Sequence, residues 1–523
     1  MINRSATYRF YEIIPGFLAW TTIVLMFVLS WLAPIFTAIF IIVFDIYWLF
    51  KTIYLSFHLR ASFSKMRQAM KINWLEKLQT MTIDDDNDKE IGGQKSMVKS
   101  QWSNIYHLVI LPMYKEPYEV VKETFDALAK INYPKDKMIV VLATEERAGQ
   151  IAQGVAKKIK QEFGGEFFRF LITAHPANLS GEVPGKGSNQ TWAVKETQIS
   201  IIDPLKIPYE NILVSVFDVD TQVLPDYFSR LTYVFLTCKH PQRSSFQPIP
   251  LFTNNIFQAP ALARVISFSS SFWHMMQQSR EERQTSFSSH SMPFKAVADV
   301  GFWNTDIVSE DSQIFWQCFL HYGGDWRVAP LFYPVSMDAN VAIGFWQTMV
   351  NQYKQQRRWG WGCENIPYFL NGFRKNSASG GKKIPFRKKL YWTFVVVESF
   401  HSWATNALII FLLGWLPLVL GGSAFNYTLL SYNLPQITRL IMTLAMIGIA
   451  TSAILSIIFL PPKPAWFKKK HYFLYLCQWL LIPFTLIFFG AFPGLEAQTR
   501  LMLGGRFRLG FWVTPKHRAI PFP

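Results

Sequence analysis

The sequence predicts an α/β domain with a mainly parallel sheet, inserted between N- and C-terminal apolar segments that cross a membrane. Three observations predict it. Long apolar blocks bracket a middle, roughly 51–389, that has no uninterrupted span. Within that middle, short β-type apolar runs alternate with runs of helical period. Polar clusters stand at the carboxyl ends of those β-type runs, where open α/β sheets bind their ligands.

Composition bounds the class. The chain has 523 residues, 50% hydrophobic, 16% aromatic and only 17% charged, with 46 Phe and 19 Trp. Globular chains average about a quarter charged, and excess aromatics belong to lipid-facing proteins with interfacial anchors. The net charge of +17 admits nucleic acid, anionic lipid or a phosphorylated substrate. Much of that charge flanks the apolar segments, and no nucleic-acid recognition motif accompanies it, so nucleic acid is excluded as a partner. Cys238, Cys318, Cys363 and Cys477 show neither CxxC nor metal spacing. They read as isolated thiols.

The first apolar block, 14–50, carries no charge between Glu12 and Asp45. It is too long for one span and suits a hairpin broken at Pro34. No polar break or small-residue cleavage site follows the first span, so no cleavable signal peptide is expected. Asp45 lies near the end of its span and is expected to snorkel or pair. Further spans are expected at 403–420, 440–460 and 472–492, the last broken by Pro483. The segment 374–389 holds Arg374, Lys375, Lys382, Lys383, Arg387, Lys388 and Lys389 without an acid, and 463–470 holds four lysines. The connection 421–438 has no charge. The positive-inside rule places the middle domain in the cytoplasm, as expected of a multi-pass protein of a prokaryotic plasma membrane with membrane lipids around it. Five spans would put the C-terminal tail outside, yet it carries Arg500, Arg506, Arg508, Lys516 and Arg518 against Glu496. A re-entrant segment at 472–492, or more membrane structure at 391–402, would resolve the conflict. Residues 59–80 mix basic and apolar positions at helical spacing, fitting a helix on the inner leaflet or an ordinary surface helix. Residues 84–96, `DDDNDKEIGGQKS`, read as a flexible acidic linker.

In the middle domain, strands are predicted at 106–112, 137–146, 169–176 and 211–225, with helices at 118–134 and 190–201. Near-continuous apolar strands imply a sheet covered on both faces. The run 240–255 reads as an irregular loop on the substrate side.

Three clusters could carry chemistry. In `FDVDT`, Asp218 and Asp220 flank Val219 just after a strand. Two carboxylates on one side of an extended turn suit Mg²⁺ or Mn²⁺, with phosphate oxygens completing the shell; an Asp-rich turn is the ordinary alternative. In `VSEDSQIFWQ`, Glu310 and Asp311 precede a helix. They can serve its first turn, with Ser309 as the cap, or one can act as a general base for a hydroxyl nucleophile. In `QQRRWGWG`, an arginine matches phosphate through its planar fork, a tryptophan face suits a sugar ring, and Gln355 can bond to hydroxyls. The ordinary alternative is an interfacial helix with aromatic anchors. His290 reads as a loop histidine that could touch a substrate.

Taken in order, these pieces resemble the membrane-integrated family 2 glycosyltransferases, which include cellulose, chitin and hyaluronan synthases and the ceramide glucosyltransferases. The resemblance covers about 105–365. It implies a GT-A fold, a nucleotide-diphosphate sugar donor (UDP-sugar first, GDP-sugar second) and a divalent metal, Mg²⁺ or Mn²⁺. It places Pro112 and Glu116 at the turn after the first strand, near the nucleotide, and Lys186 and Asn189 of `GKGSN` near the nucleotide and diphosphate. It makes Asp218 and Asp220 the metal carboxylates, Asp311 the base with Glu310 beside it, and Gln355, Arg358 and Trp359 the Q-x-x-R-W element. The family's base-contacting aspartate has no clear match; `LATEE` offers Glu145 or Glu146, with Glu145 preferred. `FWVTPK`, 511–516, is similar to a tail element of related synthases. The resemblance implies inverting transfer to a growing polysaccharide or, alternatively, a single transfer to a membrane lipid. Few spans and the lack of paired inverted repeats argue against a transporter, and intact Asp220, Asp311 and Arg358 argue against a catalytically dead scaffold. The expected division is an N-terminal hairpin (1–58), an interfacial helix and linker (59–103), the GT-A domain (104–342), interfacial helices with a basic rim (343–389), a C-terminal membrane region (390–493) and a basic tail (494–523).

Overall fold

A computed structural model describes residues 5–81, 102–378 and 383–516; the acidic linker expected at 84–96 lies outside them. Two apolar helices open the chain, Ala6–Leu32 and Pro34–Ala69. Ser5 caps the first, accepting from the Tyr8 amide at 3.3 Å. Pro34 opens the second, where its missing N–H costs nothing. That second helix runs unbroken for 36 residues, about 54 Å at 1.5 Å per residue, against a hydrocarbon core of about 30 Å. It therefore continues past 58, the expected end of the hairpin. Its distal part docks Leu59 and Met66 against Ile249 and Phe268.

A single eight-stranded sheet forms the centre of the molecule. Its strands are β1 (Tyr106–Pro112), β2 (Met138–Glu145), β3 (Arg169–His175), β4 (Ile212–Val216), β5 (Gln222–Val223), β6 (Ser244–Phe252), β7 (Ser291–Pro293) and β8 (Arg327–Met337). The order is β3-β2-β1-β4-β7-β6-β8-β5. The β3-β2-β1-β4 half is parallel, in register Val109 to Val140 and Ser215. Alternate residues feed different cores: Leu108, Ile110, Ile139 and Val141 one, Val109, Leu111, Val140 and Leu142 the other. This is why these strands read as continuous apolar runs.

The second half is mixed, with antiparallel β4–β7, β6–β7 and β5–β8 pairs and a parallel β6–β8 pair. Here the expected loop at 240–255 is instead β6, most of it buried. Its `SSFQPIPLF` lacks apolar alternation and carries two prolines. The register shifts between Gln247 and Ile249, around Pro248, the kind of irregularity that accommodates proline inside a sheet.

Five helical segments are long and apolar enough to cross a membrane: Ala6–Leu32, Pro34–Ala69, Phe386–Phe411, Leu429–Ile458 and Lys469–Leu503. The third begins well before the expected 403. Glu398 interrupts the apolar pattern there, but Lys51 pairs with it at 2.8 Å and Arg283 at 3.4 Å, which lowers the cost of an acid in lipid. Asp45 accepts from Thr438 at 3.2 Å across the helix pair, a paired position as expected.

The fifth segment starts and finishes against the sheet domain. Before it, the Phe467 ring lies 5.2 Å from Phe257. After it, Lys516 Nζ reaches Asp220 at 2.6 Å. At its end, the Leu501 carbonyl accepts from Arg9 at 2.8 Å, beside the start of the first helix. A segment with both ends on one domain enters and leaves on the same side, so the basic tail lies with the sheet domain.

His107 on β1 is fully buried and bonded to Thr232 at 2.9 Å. Burial pushes its imidazole down to about 3, whereas the unfolded chain takes up that proton near 6.5. The native state is then favoured fully above pH ~6.5 and loses stability as pH falls toward 3, by about 1.4 kcal/mol per unit at most. Unfolding midpoints in detergent between pH 7 and 5 are expected to fall, and to fall less steeply in His107→Leu. Equal slopes in both proteins would remove His107 as the cause.

Candidate active site

The site forms at the carboxyl ends of the parallel strands. β1 closes on Pro112, and the following turn is held by the Tyr114 amide donating to Glu116 Oε2 at 2.7 Å. β4 ends at Val216, and Asp218 and Asp220 follow in the turn to β5. Val219 packs into the core between them. Lys186 opens the helix Lys186–Thr197. Its ammonium donates to Asp218 Oδ1 at 2.7 Å, to Asp311 Oδ2 at 2.7 Å and to Ser288 Oγ at 3.2 Å. One buried cation thus joins the two acidic motifs, which are far apart in sequence.

The charges here set one another's protonation. Burial alone would raise the Asp218 carboxyl, but Lys186, Lys516 and Arg358 hold it well below the usual carboxylate range. Burial works against the Lys186 charge, yet Asp218, Asp311 and Glu310 hold it protonated. Glu310 is buried, and burial with the neighbouring Asp311 pushes it up to about 8. Gly187 leaves room for it: a Cβ there would stand 3.1 Å from the Glu310 side chain. Asp311 is held from behind as well, its carbonyl accepting from Ser286 Oγ at 2.7 Å. Its Oδ1 is buried without a hydrogen-bond partner. His290 Nδ1 stands 4.0 Å from that oxygen and bonds instead to the Phe287 carbonyl at 2.8 Å. Burial lowers the His290 imidazole, against the opposing pull of the Asp311 carboxylate.

Ser309 does not cap the helix Glu310–His321 through its side chain. Its hydroxyl donates to Glu364 Oε1 at 2.7 Å, and that oxygen also accepts the Val308 and Ser309 amides. A carboxylate from the Arg–Trp region therefore anchors the chain just before this helix, through the Val308 and Ser309 amides.

The Arg–Trp knot divides its labour. It ends the helix Phe345–Gly360. Arg357 pairs with Glu496 at 2.7 Å, and the fully buried Trp361 donates to Glu364 at 2.8 Å. These two hold structure. Arg358 faces the site: its charge acts on Asp218 and Glu310, and its Nε is buried without a partner. Trp359 lies half-buried, 6.0 Å from the Phe252 ring. Gln355 is buried in an amide network, accepting from Gln352 at 3.3 Å and Asn340 at 3.4 Å.

Asn189 and Glu145 are both engaged within the protein. Asn189 donates to the Ala143 carbonyl at 2.7 Å and so ties its helix to the end of β2. Glu145 closes β2, buried, with Arg147 bonded at 3.1 Å. Arg147 lies over the Tyr114 ring at 4.6 Å.

The tail was the unrecognised component. Phe511 packs on Gly185, where an added Cβ would stand 2.6 Å from its ring, and lies 5.1 Å from the Arg358 guanidinium. Lys516 donates to Asp220 Oδ2, which also accepts the Asp338 amide at 2.9 Å. `FWVTPK` was the only sequence signal for this, and Asp338 carried none.

Asp218 and Asp220 fit a divalent ion. Asp220 is fully buried and its Oδ1 has no hydrogen-bond partner, while two lysines supply positive charge to the pair. Among the described residues no three metal-ligating side chains cluster, so such an ion would need other oxygens, as phosphate provides. Because Lys516 competes for Asp220 Oδ2, Lys516→Ala is expected to lower the half-saturating metal concentration roughly tenfold, the worth of one charge-assisted hydrogen bond. A metal titration of donor hydrolysis checks this; an unchanged or weaker affinity would sink it.

A family model described as Glycosyl transferase family group 2 matches residues 213–489. Among solved structures, the chain is similar to the mannosyltransferase PcManGT from Pyrobaculum calidifontis in complex with GDP-Man and Mn²⁺, at 12% identity and TM-score 0.39, covering 77% of this chain and 99% of that one. S. aureus TarS 1–349 in complex with UDP-GlcNAc follows at 13% identity and TM-score 0.31, covering 67% and 90%. No curated protein matches.

Proposed function

The chain belongs to glycosyl transferase family group 2, and from that premise we propose inverting transfer of a sugar from a nucleotide-diphosphate donor at the cytoplasmic membrane face. The observation that carries this is Lys186, whose ammonium bonds Asp218 and Asp311 at 2.7 Å each. It brings a carboxylate suited to a diphosphate-bound ion and a carboxylate suited to a base within reach of one sugar.

In this reading Asp311 takes the proton of the acceptor hydroxyl. The acceptor oxygen bonds to the anomeric carbon as the bond from that carbon to the diphosphate breaks, and the electron pair leaves with the diphosphate. No enzyme nucleophile is needed, so configuration inverts. Lys186 and Arg358 take up charge on the departing group. A divalent ion at Asp218 and Asp220 supplies further charge neutralisation when bound. Pro112 and Glu116 border the nucleotide, Glu145 reads the base, and Trp359 offers its face to the sugar. UDP-sugar is the first donor class and GDP-sugar the second.

The acceptor is a growing polysaccharide. The alternative, a membrane lipid taking one sugar, gains from the fifth segment's return to the sheet domain, which leaves four crossing helices around any polymer path. Labelled UDP- and GDP-sugars offered to the membrane-embedded protein separate these: a ladder or smear supports the polymer, one lipid-soluble product supports the lipid. Release of neither product with any donor would overturn transfer itself.

A further inference from the structure

A cavity of about 390 Å³ lies outside the site, between the first apolar helix and the end of the fifth segment. Trp20, Phe492, Leu503 and Phe507 form its apolar walls, and each is more than a third exposed. Glu496 and Arg500 form its polar floor. Glu496 accepts from Arg500 and Arg357 at 2.7 Å each and from Tyr353 at 2.8 Å. Two guanidiniums, Arg500 in the floor and Arg357 behind it, thus meet one carboxylate, a net positive charge. Arg506 adds to this: it is exposed, lies 5.1 Å from the Phe507 ring, and forms no ion pair among the described residues. Arg500 and Arg506 flank the lining residue Leu503, close to where Arg9 of the opening helix bonds the Leu501 carbonyl, and the apolar walls come from that helix and the fifth segment.

Positive charge at one end and exposed apolar wall along the rest match an amphiphile with an anionic head. We propose that this groove binds an acidic glycerophospholipid of the surrounding bilayer, its phosphate on Arg500 and Arg506 and its first methylenes along Leu503, Phe492 and Trp20. The lipid is not the sugar acceptor. Glu496 on the floor is bonded by Tyr353 and Arg357, which lie on the same helix as Arg358. Through Arg357 and Tyr353 the bound lipid steadies the helix that carries Gln355, Arg358 and Trp359.

The test uses the full chain in detergent, titrated with phosphatidylglycerol or phosphatidylcholine and read by native mass spectrometry. The wild type is expected to retain one phosphatidylglycerol at least tenfold more tightly than phosphatidylcholine, given the contribution of basic residues at an anionic membrane surface. The R500Q/R506Q variant is expected to lose that preference. Arg439→Gln, a charge change on another membrane helix, is expected to keep it. Leu503→Trp fills the groove without changing charge and is expected to lose the lipid as well, which covers a failure of the double variant to fold. Equal retention of the two lipids by the wild type overturns the proposal, as does undiminished preference in R500Q/R506Q or Leu503→Trp. Because binding is read without donor or acceptor, the outcome is independent of the transfer reaction.

Discussion

Asp311→Asn is expected to reduce sugar transfer by about 10³-fold, within the range for loss of a general base, while donor affinity changes little. The amide keeps the size of the carboxyl and can still accept from Lys186, which now bonds Asp311 Oδ2 at 2.7 Å. What it cannot do is take a proton from the acceptor. Lys186 stays anchored by Asp218 at the same distance, so the diphosphate side of the site is left standing. Transfer rates and calorimetric binding of the donor together make the measurement. A variant within tenfold of wild-type transfer would remove Asp311 as the base. A variant that loses donor binding in parallel would make it a structural residue instead.

The second large effect is expected from metal removal. EDTA should bring turnover to background, with recovery on adding Mn²⁺ or Mg²⁺, and Asp220→Asn should cost about 10²-fold or more, as loss of one electrostatic stabiliser does. Asp220 is fully buried, with one oxygen unpartnered and the other shared between Lys516 and the Asp338 amide. A buried carboxylate so placed is stable only because cations surround it. Replacing it by an amide leaves Lys516 without its nearest counter-charge, so the tail should also loosen, visible as faster proteolysis after residue 503. Turnover that persists in excess chelator would dispose of the metal reading while leaving Asp311 untouched.

Part of the site is legible in the sequence alone. Asp218 and Asp220 announced themselves because β4, buried on both faces, is a continuous apolar run that stops just before them. Glu310 and Asp311 stood out for the same kind of reason, at the start of a buried helix. Lys516 could not be weighed, because its partner Asp220 is 296 residues away. β6 was missed because `SSFQPIPLF` has no period of its own and is held by β8 and β7. Arg357 and Arg358 are adjacent and chemically identical, and only their surroundings send one to Glu496 and the other to the site.

The α/β core, the membrane segments and the acidic motifs are written in the chain locally, because apolar period and close spacing set them. The turn-back of the fifth segment, the reach of the tail to Asp220 and the Lys186 bridge from Asp218 to Asp311 come from the tertiary structure alone. Each of these rests on contacts between distant parts of the chain, whose energies depend on burial and on neighbouring charge that local sequence does not encode.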